Sequence, residues 1–329
     1  MYRDEIAANM TRRDMLKVFG AAAVAAGTAQ GAETGRSPQS RPDLRSKAKK
    51  NLKLGIFTSV YGHLTVEEAA RKIKEDGFAG VVCDFLFKDI RFDPATPDWE
   101  AVRKIRATLE RQGIEVAGQF GYYNVVDPHE DKRKWGEARM DLLLREWKRF
   151  GSPIVSTETG TFNKESQWKE SPENDTEAGY VACREAMKKL AGKAEKAGAV
   201  VAIEGYWRNI IGSAERAERL FKEVDSPGLR LTMDPCNYFR NEDLPRMKPI
   251  LNDLFKRVGR QTVLAHAKDV KAGPNGSETP AAGRGEMDYP LYLRLLAELD
   301  KELWLVVEHL QIDDVARARD YVKAQFDRL

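Results

Sequence analysis

The sequence is poor in the residues that staple or ligate small proteins. Three cysteines, Cys83, Cys183 and Cys236, are scattered over 329 residues. That excludes a disulfide framework and a thiolate zinc site. Each is read as a small buried hydrophobe. Charge of one sign is also lacking, with 54 Lys and Arg against 51 Asp and Glu and a net charge of +3. No electrostatic drive toward nucleic acid or a membrane surface follows from that balance. The apolar run from Val18 to Ala29 falls short of the roughly 20 residues a bilayer-spanning helix needs. After the first strand candidate, "FTSVYGHL" holds one glycine, so no Gly-x-Gly-x-x-Gly dinucleotide fingerprint is present there.

What is there begins with a leader. Arg12 and Arg13 precede Met15, Leu16 and Lys17, then the short apolar run, then small residues from Ala29 to Ala32. A charged start, a short apolar middle and small residues describe an export signal, here of the twin-arginine kind. Residues 1–32 are therefore expected to direct export to the periplasm, without a stable membrane anchor. Twin-arginine export carries folded proteins, often with a cofactor already loaded. Residues 33–51 read as a polar linker without a core.

From Leu52 the chain alternates. Strand-like runs come at "LKLGIFT", "AGVVCDF", "IEVAGQF", "SPIVSTE", "AVVAIEG", "LRLTMDP", "TVLAHAK" and "LWLVVEH". Helical patterns lie between them. Thr65 is placed to cap one helix, and Gly77, Gly113 and Gly198 to close three. Eight strands, each followed by a helix, imply parallel pairing with helical crossovers. The length from 52 to 329 suits one (β/α)₈ TIM barrel, an α/β fold of roughly 250 residues. An open doubly wound sheet is the disfavoured alternative.

In such a barrel, chemistry sits where strands end. Four successive runs end in Glu204, Asp234, His266 and Glu308, at spacings of 30, 32 and 42 residues. Each spacing is one βα unit, so all four side chains reach the same rim. A strand-end carboxylate by itself is usually a cap or a solvated group. Three buried together are costly without a counter-charge. A divalent cation supplies it, and these four residues are its expected ligands. The donor set is hard, suited to Mn²⁺ first, with Mg²⁺, Co²⁺ or Zn²⁺ as alternatives.

The motifs around these residues then carry a resemblance. Glu204, "DPCN" from Asp234, "HAKD" from His266, "GRGEMDY" from Gly283 and Glu308 resemble, in order, the sugar phosphate isomerase/epimerase family of xylose-isomerase-like barrels. The resemblance covers the chain from about Leu52 to its end. It implies the same four metal ligands, with Glu204 and Glu308 also exchanging a substrate proton on opposite faces. It implies a metal-dependent isomerase or epimerase acting on a sugar or keto sugar through an enediolate. Loss of a β-oxygen instead would make a lyase or dehydratase of an inosose or 3-keto-glycoside. Many epimerases of the family hold a histidine three residues after the strand-six aspartate; Asn237 stands there in this chain.

Further substrate-binding candidates lie just after strands: His63, Glu158, Trp207, Asn237, Lys268 and Arg284. Strand alternation turns Lys268 to the side of His266 and turns His309 away. The long segment from Thr161 to Thr176 is a candidate lid or subunit contact. The expected partner is a small carbohydrate, with no nucleic acid; a homo-oligomer is allowed but not required. An abasic-site endonuclease would need a trinuclear zinc cluster and a basic face, which four histidines and a near-neutral charge do not supply. A non-catalytic exported sugar-binding protein remains as the rival class.

Overall fold

A computed structural model describes residues 44–329. The leader and the first part of the linker lie outside the described residues. The linker reading needs correction at its end. Leu44–Asn51 is a helix, α1, with Ala48 and Asn51 buried. Arg45 and Lys49 pair with Asp327 at 2.5 and 2.8 Å, tying this helix to the end of the chain.

Eight parallel strands close into a barrel in sequence order, β1 pairing with β8. They are β1 Leu52–Phe57, β2 Gly80–Cys83, β3 Glu115–Phe120, β4 Ile154–Glu158, β5 Val200–Glu204, β6 Leu229–Met233, β7 Thr262–Ala267 and β8 Leu303–Val307. Helices pack outside. Local chemistry fixes their ends. Thr65 and Glu68 form a capping box, Asp98 caps the helix Trp99–Arg111, and Gly77, Gly113 and Gly198 take positive φ where helices stop.

Most of the core lies between sheet and helices. A smaller apolar cluster, Phe57, Val82, Ala117, Leu264 and Val306, draws on strands from both sides of the β1–β8 closure and underlies the site. Close approach constrains the barrel at Gly80. A Cβ there would meet the Trp304 ring at 2.5 Å. Gly80→Ala is expected to cost about 1–3 kcal/mol through overpacking, read as a lower melting temperature in calorimetry.

Candidate metal centre

Glu204 closes β5, Asp234 follows β6, His266 lies near the end of β7, and Glu308 follows β8. All four are buried. His266 Nδ1 lies 3.5 Å from a Glu204 oxygen, 3.3 Å from Asp234 Oδ2 and 3.5 Å from Glu308 Oε1. One ligand atom from each of the four falls within 4.8 Å of all the others. Ligands about 2.1 Å from one cation sit roughly 3 to 3.5 Å apart, which the three spacings from His266 match. Asp234 Oδ1 is buried without a hydrogen-bond partner among the described residues. Such an oxygen is costly to leave bare, and a cation would satisfy it.

Neighbouring elements hold this cluster in place. The Phe57 ring stands edge-on to His266 at 5.3 Å between centroids. Tyr292, on the helix Tyr289–Glu298, donates to the carbonyls of Met233 and His266 at 3.1 and 2.8 Å. Tyr289 donates to the Lys268 carbonyl at 2.8 Å. Asp269 accepts from the Gly283 and Met287 amides, which ties the "HAKD" segment to the "GRGEMDY" segment.

Electrostatics set the protonation pattern. Burial alone would discharge Lys268, but Asp234, Glu308 and Glu204 hold its pKa well above the usual ammonium range. Its Nζ lies 2.6 Å from Asp234 and 2.7 Å from Glu308. Burial also opposes a charged His266, yet Glu308 and Glu204 raise its pKa. Burial dominates at Asp234, which Lys268 only partly offsets, so its pKa is pushed up to about 7. At Glu204 burial is again the largest single influence, but His266 and Lys268 together outweigh it and bring the pKa down to about 2. The same two cations hold Glu308 well below the carboxylate range. Glu158 is different. Burial, then the Glu204 charge, raises its pKa, and both its oxygens are buried without a hydrogen bond among the described residues.

The cluster opens into a cavity of about 560 Å³ whose walls include Phe57, Phe120, Tyr122 and Tyr206. Glu158, Glu204, Asn237, Lys268 and Glu308 all line it. Asn237 Nδ2 donates to Glu204 Oε1 at 2.5 Å. Sequence reasoning missed Tyr122, whose hydroxyl donates to Glu204 Oε2 at 2.5 Å. The signal available was its place two residues past the end of β3, on the face that carries the site.

Three expected substrate contacts stand elsewhere. His63 is exposed and does not line the cavity. Trp207 is buried, with the Arg208 and Arg240 guanidinium groups 4.1 and 4.8 Å from its ring and its indole N–H on Ser277, so its surface is already taken. Arg284 is exposed and pairs with Asp314 at 2.9 Å. His309 departs from strand alternation in the other direction. The chain turns there with φ +56°, and the ring reaches the cavity wall, held by Thr279. The segment 161–176 is pinned rather than loose. Asn174 Nδ2 donates to Thr161 and to the Arg208 carbonyl at 2.9 Å each. Trp168, in the same segment, lines the cavity.

A family model described as the xylose isomerase-like TIM barrel matches residues 70–325. The chain belongs to that family. No curated protein matches the sequence. Solved structures of similar fold include a xylose isomerase-like TIM barrel protein from Mycobacterium smegmatis in complex with magnesium (17% identity, TM-score 0.63, covering 85% of this chain and 98% of that one). Another is the 3-keto-D-glucoside 4-epimerase of E. coli (18%, TM-score 0.60, 84% and 100%). A third is the probable 3-DHS dehydratase of petrobactin synthesis from Bacillus anthracis (14%, TM-score 0.61, 84% and 97%). At such identities the likeness is one of fold, and this xylose isomerase-like barrel shares it over most of its length.

Proposed function

We propose that the protein is a metal-dependent isomerase or epimerase of a sugar or keto sugar. The observation that carries this reading is the convergence of Glu204, Asp234, His266 and Glu308 on one point in the wall of an aromatic-lined cavity. A divalent cation held there by these four residues would polarise a carbonyl and acidify the C–H beside it. Glu204 and Glu308 reach the cavity from β5 and β8. One takes the proton and the other returns one, to the same carbon or to a neighbour. Tyr122 and Asn237 fix both oxygens of Glu204, so its direction of attack is set before substrate arrives. Lys268, between Asp234 and Glu308, is placed to hold a substrate oxygen. Tyr206 offers an aromatic face for the C–H surface of the ring.

A second reading, a lyase or dehydratase of an inosose or 3-keto-glycoside, is favoured by two observations. Asn237 replaces the histidine found in many epimerases of the family. Glu158 is a buried carboxyl in the cavity wall with neither oxygen hydrogen-bonded among the described residues, placed to hand a proton to a leaving oxygen. The deciding experiment is a screen of metal-loaded protein against ketoses, inososes and 3-keto-glycosides. Chelator-sensitive turnover of any of them supports the enzyme. Tight binding with no turnover of any would favour a sugar-binding protein instead.

Mn²⁺ is the proposed ion, because three carboxylates and one imidazole make a hard donor set. We also propose that residues 1–32 direct twin-arginine export, which fits a scavenged free or glycosidic sugar better than a phosphorylated intermediate. With Arg12→Lys and Arg13→Lys together, the precursor is expected to stay in the cytoplasm. Periplasmic mature protein from that variant, detected by fractionation, would contradict the export route.

A further inference from the structure

The central cavity has a neighbour. A second cavity of about 520 Å³ shares Tyr122 with the first and is lined by Asp127, Asp131, Lys132, Trp135 and Gln167. The segment 161–176 serves both, with Trp168 in the first and Gln167 in the second. Two tryptophans are each 54% exposed, Trp135 and Trp168, one at each cavity. An indole on a cavity rim presents a flat apolar face to whatever enters.

The local chain builds this second cavity deliberately. Asp131 and Trp135 are four residues apart on the helix Glu130–Arg145 and so share a face. Gly136 lets that helix lie against the Tyr123 ring, since a Cβ there would sit 2.1 Å from a ring carbon. Arg139 spans the two cavities' walls, 5.9 Å from the Trp135 ring and 5.8 Å from the Phe120 ring. The indole is thereby steadied beside the first cavity's aromatic wall.

We infer that the two neighbouring cavities, which meet at Tyr122, form a two-ring carbohydrate site, with the reacting ring over the metal ligands and a second sugar ring on Trp135. This rests on the sugar chemistry proposed above and narrows its substrate to a glycoside or disaccharide. A pyranose ring offers a C–H face and a girdle of hydroxyls. Trp135 supplies the matching flat apolar surface. Asp131, Lys132 and Gln167 supply both acceptors and donors for hydroxyls. A phosphate or nucleotide fits worse, because Asp127 and Asp131 outnumber Lys132 there.

The test compares two-ring and one-ring ligands on metal-loaded full-length protein. Binding of maltose, cellobiose and trehalose is measured by calorimetry against glucose, and turnover of their 3-keto forms is measured beside 3-keto-glucose. At least one disaccharide is expected to bind more tightly than glucose. Trp135→Ala is expected to reduce that preference about tenfold, the loss of one stacked ring. Trp135→Phe, which keeps an aromatic face, is expected to recover most of it. Equal affinity for one and two rings, or a preference that Trp135→Ala leaves unchanged, overturns the inference. A change of oligomeric state in Trp135→Ala with the preference intact also overturns it, making Trp135 a contact between copies. If all keto forms are inert while the Trp135-dependent preference persists, the proposed chemistry fails and the two-ring site stands.

Discussion

Metal-loaded Glu308→Gln and Glu204→Gln are each expected to lose at least about 10² to 10⁴ in turnover while keeping the cation. Glutamine preserves an oxygen for the metal and the shape of the side chain, but it cannot carry a proton at neutral pH. The loss is larger if the weaker amide ligand also shifts the cation. The two variants should differ in kind. Glu204 accepts hydrogen bonds from both Tyr122 and Asn237, so Glu204→Gln turns an amide N–H₂ toward a donor and disturbs its neighbours. Glu308 has Lys268 as its nearest partner, so Glu308→Gln removes one of the three carboxylate charges around that ammonium and leaves Asp234 and the more distant Glu204. The double variant is expected to lose little more than the worse single, because two groups that share one proton transfer act as a unit. Steady-state kinetics with metal content measured on the same samples checks this. Near-wild-type turnover in either loaded variant would remove it from the proton path.

The second large effect is on the metal itself. Protein purified without chelator is expected to carry one divalent ion per chain, and Asp234→Ala to carry almost none. Altering groups that only support a ligand typically costs 10- to 100-fold in affinity, so deleting a ligand should cost about 100-fold or more. A parallel readout is thermal. A cation that binds only the folded state raises its stability by about 2.7 kcal/mol at 100 times the dissociation constant. Adding metal should therefore raise the melting temperature of wild type and leave Asp234→Ala unmoved. Elemental analysis and melting curves together separate metal loss from misfolding. Equal metal in the two proteins would dismiss the site.

Much of the fold was legible because its signals were local. Thr65 with Glu68, Asp98, and the glycines at 77, 113 and 198 mark helix ends by chemistry that operates within one turn. The helix Leu44–Asn51 was not legible. Most of its residues are polar, and its buried Ala48 is too little periodicity to separate from a linker. The cluster of Glu204, Asp234, His266 and Glu308 was legible because an ionisable residue after a buried run is out of place unless something holds it. Lys268 could be placed too, since two-residue alternation carries past His266. Beyond the strand ends that rule fails. His309 turns inward on a positive φ, Arg284 turns out to Asp314, and Trp207 is taken by two arginines. Those orientations depend on loops that the strand period does not govern. Tyr122 escaped because its partner Glu204 is distant in sequence and because a tyrosine past a strand reads as core.

The measurement that bears most directly on the whole account is hydrogen exchange with solvent at the substrate carbon. A substrate found by the screen is run in deuterated water with metal-loaded wild type, and product and recovered substrate are examined by NMR and mass spectrometry. Deuterium is expected at the carbon beside the carbonyl in an epimer or isomer; a dehydrated sugar loses that hydrogen with the β-oxygen and takes up solvent deuterium at the former β-carbon when its enol ketonises. This deuterium should disappear with chelator and in Glu204→Gln or Glu308→Gln. Turnover with no solvent deuterium in substrate or product, or deuterium that enters equally well in both glutamine variants, would contradict C–H cleavage by this pair of glutamates.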